Sequence, residues 1–324
     1  MALTQEAGGP TVEAARAPRV ARRRRRLGQD PVPIKILVYL ILVVGSIIFI
    51  APMAWMVVAS FKHLSDMFAW PPTWWPKHPT ISNYTRFLGL SGTAADKAQA
   101  ANVLRWFGNS AFVTGSIIVI QTFFSSLAAY CFAKRTFPGR DFLFVLGLGT
   151  MAIPAAVFLI PNYLVLKHVP LFGGNDILGN GGHGWLDSYW GLIVPNCVNM
   201  FTIFMLRQYM RTIPDELLDA ARVDGAGHFR IYWSVVLPLC RPALAATAIF
   251  AFNFYWNSFL GPLIILSSPD HYTIPVGLAL YVVKNRTAWD LVMAGSVLAT
   301  LPVVLAFLFF QRYFVRGIAL SGLK

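Results

Sequence analysis

"DAARVDGAGHFRIYWSVVLP", residues 219–238, sets charge, glycine and aromatics at close spacing in a chain that is 56% hydrophobic and only 13% charged. With its flanks it reads as two short helices joined by a turn. Pro214 suits a first helical position, and Asp215 and Glu216 fall where carboxylates favour the positive end of the helix dipole. Leu217, Leu218 and Ala221 share one face. Gly225 stops the first helix as a C′ glycine does. A second helix begins near Gly227, and Phe229, Tyr232, Trp233 and Val236 fall at i, i+3, i+4 and i+7 as one aromatic stripe. Pro238 is expected to end it, and Pro242 to open the next helix. Two uses fit such an element: an amphipathic hairpin lying on a lipid surface, or a rigid knob that carries force into the helix it joins.

The surroundings are those of a polytopic membrane protein. Spanning about 30 Å of hydrocarbon takes about 20 apolar residues in a helix, and six stretches qualify, near 34–60, 110–133, 142–166, 189–206, 243–266 and 291–311. None contains Asp, Glu or Arg, and Lys35, at the edge of the first, is their only Lys. The first is too long for a signal-peptide core and lacks a small-residue cleavage site, so it is expected to remain as a span. The organisation read from this pattern is a disordered basic tail over 1–33, a six-helix transmembrane domain over 34–314 with a connecting loop at 207–242, and a short tail over 315–324. The run Arg22–Arg26 precedes the first span, where it serves topology and lipid contact rather than nucleic acid. With the N-terminus inside, 19 Lys and Arg lie on the cytoplasmic side and 8 outside. The positive-inside rule therefore places both termini and residues 219–238 in the cytoplasm.

No Gly-Lys dipeptide occurs, which excludes a Walker A phosphate loop. The six histidines and three cysteines form no zinc motif, disulfide framework or nucleophile arrangement, so no catalytic residue, metal site or cofactor is expected in this chain. The spans also lack the ionisable relay that a proton-driven transporter needs. Sodium coupling at broken helices stays open, since Pro154, Pro161, Pro195, Pro262 and Pro302 are placed to unwind spans. Residues 61–109 hold "WPPTWWPKHPTISNYTRFL", whose prolines break helices and whose aromatics suit a membrane interface, so a folded extracytoplasmic cap is expected. The glycine-rich run "GGNDILGNGGHG" within 167–188 is expected to be flexible.

In the fifth stretch Asn253, Trp256 and Asn257 fall on one helical face. Amides can bond sugar hydroxyls and an indole can stack on a pyranose, so these residues, with Gln121, Asn196 and Asn199, are candidates for a solute pathway. Interhelical hydrogen bonding is the plainer use of the same residues.

Asp219, Ala220, Ala221, then Gly225, then Val235, Val236, Leu237 and Pro238 resemble the "EAA" loop of ABC importer permeases, with Asp in place of Glu at 219 and Val in place of Ile at 235. "NYTRFL" (83–88), "AAYCFAKRTFPGR" (128–140), "FNFYWNSFLGPLIIL" (252–266) and "QRYFVRGIALSGLK" (311–324) are similar to segments of the maltose-type carbohydrate permeases. The resemblance implies an all-α, type I importer permease with six transmembrane helices and a coupling helix between the fourth and fifth. It implies a second permease, two ATPase subunits that carry the ATP and Mg, an extracytoplasmic solute-binding protein, and residence in a prokaryotic inner membrane. On this resemblance Asp219, Ala220, Ala221, Asp224, Gly225, Phe229, Leu237 and Pro238 face an ATPase. Ser268, Pro269, Asp270, His271 and Tyr272 lie where related permeases push a loop toward the binding protein. The end "RGIALSGLK" is either a further ATPase contact or a disordered end. A glycerol-phosphate-type permease shares these motifs; a secondary transporter and a membrane enzyme are the other classes left open.

Overall fold

The computed structural model describes residues 32–282 and 287–321, without the side chains of residue 99 and of residues 312–321. The basic run Arg22–Arg26 and the rest of the tail up to residue 31 lie outside the described residues, as do 322–324. The chain divides into two units, Met1–Met53 and Ala54–Lys324. The described part of the first unit belongs to one apolar helix, α1 (Val32–Ala59), which therefore begins inside the segment read as tail.

In the second unit, α2 (Leu64–Met67), α3 (Ser82–Phe87) and α4 (Ala94–Ala100) lead into the long α5 (Val103–Lys134). Next come α6 (Arg140–Thr150), a 3-10 turn at Ala155–Phe158, α7 (Leu159–Lys167), α8 (Tyr189–Ile193) and α9 (Met200–Met210). Two short helices follow, α10 (Glu216–Val223) and α11 (His228–Ile231), then a π-turn at Tyr232–Val236 and α12 (Leu237–Leu239). The second half holds α13 (Arg241–Trp256), α14 (Leu260–Ile265), α15 (Ile274–Ala279) and α16 (Trp289–Ser321). Residues 315–321, read as a tail, continue α16 as helix. Helix α5 is the spine: α9 and α13 pack on it, and α16 packs on α13.

Among the described residues four helices are long and apolar enough to cross a membrane, and two bent pairs, Arg140–Thr150 with Ala155–Lys167 and His228–Leu239 with Arg241–Trp256, raise the number to six if each is one crossing. The stretch 142–166 is one such pair, bent by 93° between Thr150 and Ala155. Pro154 supplies the reason: it has no N–H for the α-helical ladder and disfavours helix in the residue before it. The stretch 243–266 is also interrupted, α13 ending at Trp256 and α14 starting at Leu260. Pro161 and Pro262 lie near the starts of α7 and α14 and break neither, and Pro302 sits within an unbroken α16. Pro238 does not end the helix before it either. A π-turn, in which Leu237 N–H bonds Tyr232 O, loosens the ladder just ahead of the proline, and the helical path continues to Leu239 before turning 79° into α13 at Cys240.

Three apolar clusters hold the second unit. One joins Ala129, Tyr130, Phe144, Ile203, Leu206 and Met210 of α5, α6 and α9 to Leu218, Ile231, Tyr232 and Val236. Another surrounds Trp106 with Phe87, Val103, Ile274, Tyr281 and Leu291, and the third gathers Val113, Ile117, Leu192, Ile193 and Leu266.

Candidate functional site: a knob, a neutral cleft and a pinned loop

The segment 219–238 forms the helix-turn-helix its sequence suggests. At its entry Lys134, in the last turn of α5, donates to Asp215 Oδ1 at 2.7 Å and to Ile213 O at 2.5 Å, tying α10 to the spine. At its turn Ala226 N–H bonds Ala221 O and Gly225 N–H bonds Arg222 O, both at 2.9 Å, which is a Schellman motif. Gly225 has φ +78°, and a Cβ built there would meet nothing within 4 Å. Glycine is thus needed for backbone conformation, not for space.

Leu218 is buried in the first cluster and Ala221 packs against it, whereas Leu217 turns outward. The aromatic stripe divides in the same way. Tyr232 and Val236 are fully buried, with the Tyr232 hydroxyl 2.8 Å from Ser126 Oγ, while Phe229 and Trp233 are 63% and 54% exposed and stack at 6.3 Å. An i, i+3, i+4, i+7 stripe is about 100° wide, and here the bundle boundary runs along its middle. Asp219 pairs with Arg222 at 2.6 Å on the open side, where Ala220, Asp224 and Pro238 are also exposed. Leu237 is half-buried against the core. The result is a knob with one apolar face fixed in the bundle and another, of Leu217, Val223, Phe229 and Trp233, open.

A cleft of about 740 Å³ lies where α5, the 3-10 turn with α7, and α8 face the α13–α14 break. Asn253, Asn257 and Asn196 line it. Asn257 Nδ2 donates to Asn253 O at 2.8 Å, and Asn196 Nδ2 to Leu192 O at 2.8 Å, so each amide is oriented by its own helix. The other three candidates point elsewhere. Trp256 Nε1 donates to Ala299 O of α16 at 2.9 Å. Gln121 donates to Thr202 Oγ1 at 2.9 Å and accepts from the Tyr255 hydroxyl at 2.6 Å. Asn199 caps α9 by accepting from Thr202 N–H at 3.1 Å. A shared helical face did not place Trp256 with its neighbours, because the helix ends just after it and its buried indole N–H must find an acceptor.

The cleft is also lined by Asn162, Tyr163 and Ser258, which reading the stretches as plain spans passed over. Their signal was present: Asn162 and Tyr163 follow Pro161, and Ser258 follows Asn257 where the helix stops. None of the described residues lining the cleft is charged.

Ser268, Pro269, Asp270, His271 and Tyr272 form a short turn whose tip, Pro269 and Asp270, is exposed. Its base is fastened by residues distant in sequence. Asp187 Oδ1 accepts from Ser267 N–H and Ser268 N–H, each at 2.9 Å, Oδ2 accepts from Ser268 Oγ, and His271 Nδ1 stands 3.2 Å from Oδ1. Burial opposes the charge on Asp187, but these hydrogen bonds outweigh it and hold the carboxyl well below the usual range. From the other side Trp106 Nε1 donates to Pro269 O at 2.8 Å, and Asn109 Nδ2 to Asp270 O at 2.8 Å and Tyr272 O at 2.9 Å. The glycine-rich run expected to be flexible is likewise held: buried Asn175 donates to Lys167 O and Val169 O and accepts from Gly182 N–H at 2.8 Å. Positive-φ glycines there shape a built loop. Among the described residues no three His, Cys, Asp or Glu side chains gather as a metal centre requires.

Residues 121–320 match the family described as "Binding-protein-dependent transport system inner membrane component". The chain is 37% identical to the arabinooligosaccharides transport system permease protein AraQ of Halalkalibacterium halodurans over 68% of this chain and 74% of that one. It is 31% identical to the sn-glycerol-3-phosphate transport system permease protein UgpE of Yersinia pestis over 86% of this chain and 94% of that one. In fold it is similar to a solved bacterial ABC transporter involved in the import of the acidic polysaccharide alginate, with a TM-score of 0.70, 22% identity, and coverage of 87% of this chain and 96% of that one. A helical chain with several apolar helices, an "EAA"-like knob and these relatives belongs to the binding-protein-dependent transport system inner membrane component family.

Proposed function

We propose that this chain is the permease subunit of an ATP-driven importer of a neutral carbohydrate, with six crossings in which α6–α7 is the bent third and α13 with α14 the fifth. In this reading the knob α10–α11 faces the cytoplasm, along with both termini, and an ATPase partner carrying ATP and Mg seats on its open face. The chain itself performs no chemistry. A homologous permease completes the pathway, and a solute-binding protein delivers sugar at the loop 268–272.

The observation that carries the reading is the knob, locked to the bundle through Leu218, Ile231, Tyr232 and Val236 and open through Leu217, Val223, Phe229 and Trp233. It is continuous with α13 through a single bend at Cys240, so a displacement of the knob swings the helix that carries Asn253 and is capped by Asn257. Two fixed faces, one in the core and one for a partner, are what transmission of force requires. Alternating access then follows as the cleft opens to one side or the other.

The similarity to UgpE favours glycerol phosphate as a second reading. Weighing against it, the cleft offers amides and hydroxyls and no cation for a phosphate. The test is uptake by the purified importer in proteoliposomes with internal ATP, comparing neutral oligosaccharides with glycerol phosphate. Neutral sugar is expected to be taken up and glycerol phosphate to be neither transported nor a competitor. Asn257→Ala should lower the uptake rate or change the preference among sugars; unchanged kinetics would remove Asn257 from the pathway.

A further inference from the structure

The stretch Phe68–Pro79 leaves Phe68, Trp70, Trp74 and Trp75 exposed, Trp70 at 89%, with Lys77 and His78 exposed beside them. In water such a patch would be an aggregation liability. The structure fixes where it sits. Buried Lys62 donates to Thr73 O and lies 4.3 Å from the ring of Trp55, and Trp74 meets Trp55 edge-on at 5.3 Å. Thr80 N–H bonds Phe61 O at 2.9 Å, and Asn83 Nδ2 donates to Ser60 O and Lys62 O at 2.9 and 2.8 Å. The loop is thereby folded back against the last turns of α1 and held there.

Depth follows from the sequence. The apolar run after Lys35 has used about 20 residues, the number a helix needs to cross the hydrocarbon layer, when it reaches Trp55. The run is therefore spent where Trp55, and Trp74 upon it, stand. That is the level at which indoles are most at home, with rings among the upper acyl chains and N–H groups among headgroups, and where Lys77 meets lipid phosphates.

We infer that residues 68–77 are an interfacial anchor that seats the exposed rings of Phe68, Trp70, Trp74 and Trp75 in the headgroup layer of the bilayer. The anchor sets the level at which the α3–α5 region meets the membrane. It is independent of which solute is carried.

The test uses the whole importer in lipid nanodiscs, with and without brominated acyl chains, and compares the wild type with Trp70→Phe, Trp75→Phe and the double variant. Among the described residues neither indole makes a bond that holds the loop, so assembly, checked by co-purification of the subunits, is expected to persist. The emission lost in the variants should be blue-shifted, quenched by brominated lipid and insensitive to aqueous iodide. Quenching by iodide and not by bromine would put these rings in water and overturn the inference. Quenching by neither would mean that a protein partner covers them, and would overturn it equally. If a variant fails to assemble, a bromine-dependent loss of total emission that Trp74→Phe in wild-type background reduces serves the same purpose, and its absence counts against the anchor.

Discussion

The knob around Gly225 and the turn around Pro269 are both short connections, yet they are fastened in opposite ways. The knob is held by apolar side chains driven into the bundle, with Leu218, Ile231, Tyr232 and Val236 in one continuous core with α5, α6 and α9. The turn is held by directional polar bonds, from the Asp187 carboxylate on one side and from Trp106 and Asn109 on the other. Apolar packing is dense and transmits displacement, while hydrogen bonds to a carboxylate break and re-form singly. The first lets the knob move together with the helix it joins, and the second keeps the turn in one shape.

Removing packing beneath the knob should have the largest effect. Leu218→Ala leaves a cavity and should cost about 2–5 kcal/mol, read as a lower melting temperature of the detergent-solubilised complex. A loss under about 0.5 kcal/mol, the size of an ordinary surface change, would mean that the knob is not part of the core. Asp187→Asn comes next. It removes the charge from hydrogen bonds worth about 1.5–3 kcal/mol each to a charged group, so backbone hydrogen exchange over 267–272 should quicken by tenfold or so while exchange in 219–238 stays unchanged. Equal change in both would show that the two connections are not independently fastened.

Acidity separates them further. Asp187 has its folded pKa depressed below the unfolded value of about 3.9. Its contribution is therefore fully present above that value and is lost as pH falls through the lower, folded one. Hydrogen exchange at the turn should stay slow on acidification from neutrality until below about pH 4, and loosening already at mildly acidic pH would contradict the placement of the carboxylate.

Gly225→Val tests the turn of the knob. With open space around the site, the penalty comes from φ alone, about 1–2 kcal/mol for a left-handed residue and more for a β-branched one. Coupling of ATP hydrolysis to uptake should fall, and Gly225→Asn, which tolerates this conformation, should restore most of it. Equal coupling in wild type and Gly225→Val would remove the need for a left-handed turn. The smallest effect on stability is expected at the open face. Trp233→Ala should change stability by about 0.5 kcal/mol or less, yet, on the proposed seating of an ATPase at this face, weaken retention of that partner during purification, since exposed aromatics in an interface carry much of its energy. Unchanged retention would move the contact elsewhere.

The same contrast decides what could be read before the structure. The knob was legible because its cues are local: carboxylates at the helix start, a glycine at its end, and an apolar face repeating within eight residues; Pro214, read as the first helical position, stands just before the helix, which begins at Glu216 after Asp215. The division of its aromatic stripe was not, since periodicity gives the face of a helix but not the line along which a bundle covers it. Of the pathway candidates, Asn253, Asn257 and Asn196 reach the cleft. Gln121 is taken up by Thr202 of the neighbouring α9, because an amide in an apolar stretch bonds whichever partner the packing brings, and Asn199 is taken up as the cap of its own helix. The fastening of the turn was illegible, since Asp187 and Ser268 are 81 residues apart and meet only in the fold. The breaks at Pro154 and Asn257 were half-legible: proline marks five places, and only tertiary packing selects those that bend.

The most direct measurement is purification of the tagged chain in mild detergent from its native membrane, followed by mass spectrometry and uptake assays in proteoliposomes. The importer reading predicts that an ABC ATPase and a second permease accompany the chain, and that sugar uptake requires both the binding protein and ATP on the side of the knob. Recovery of the chain alone, with uptake indifferent to ATP, would contradict it.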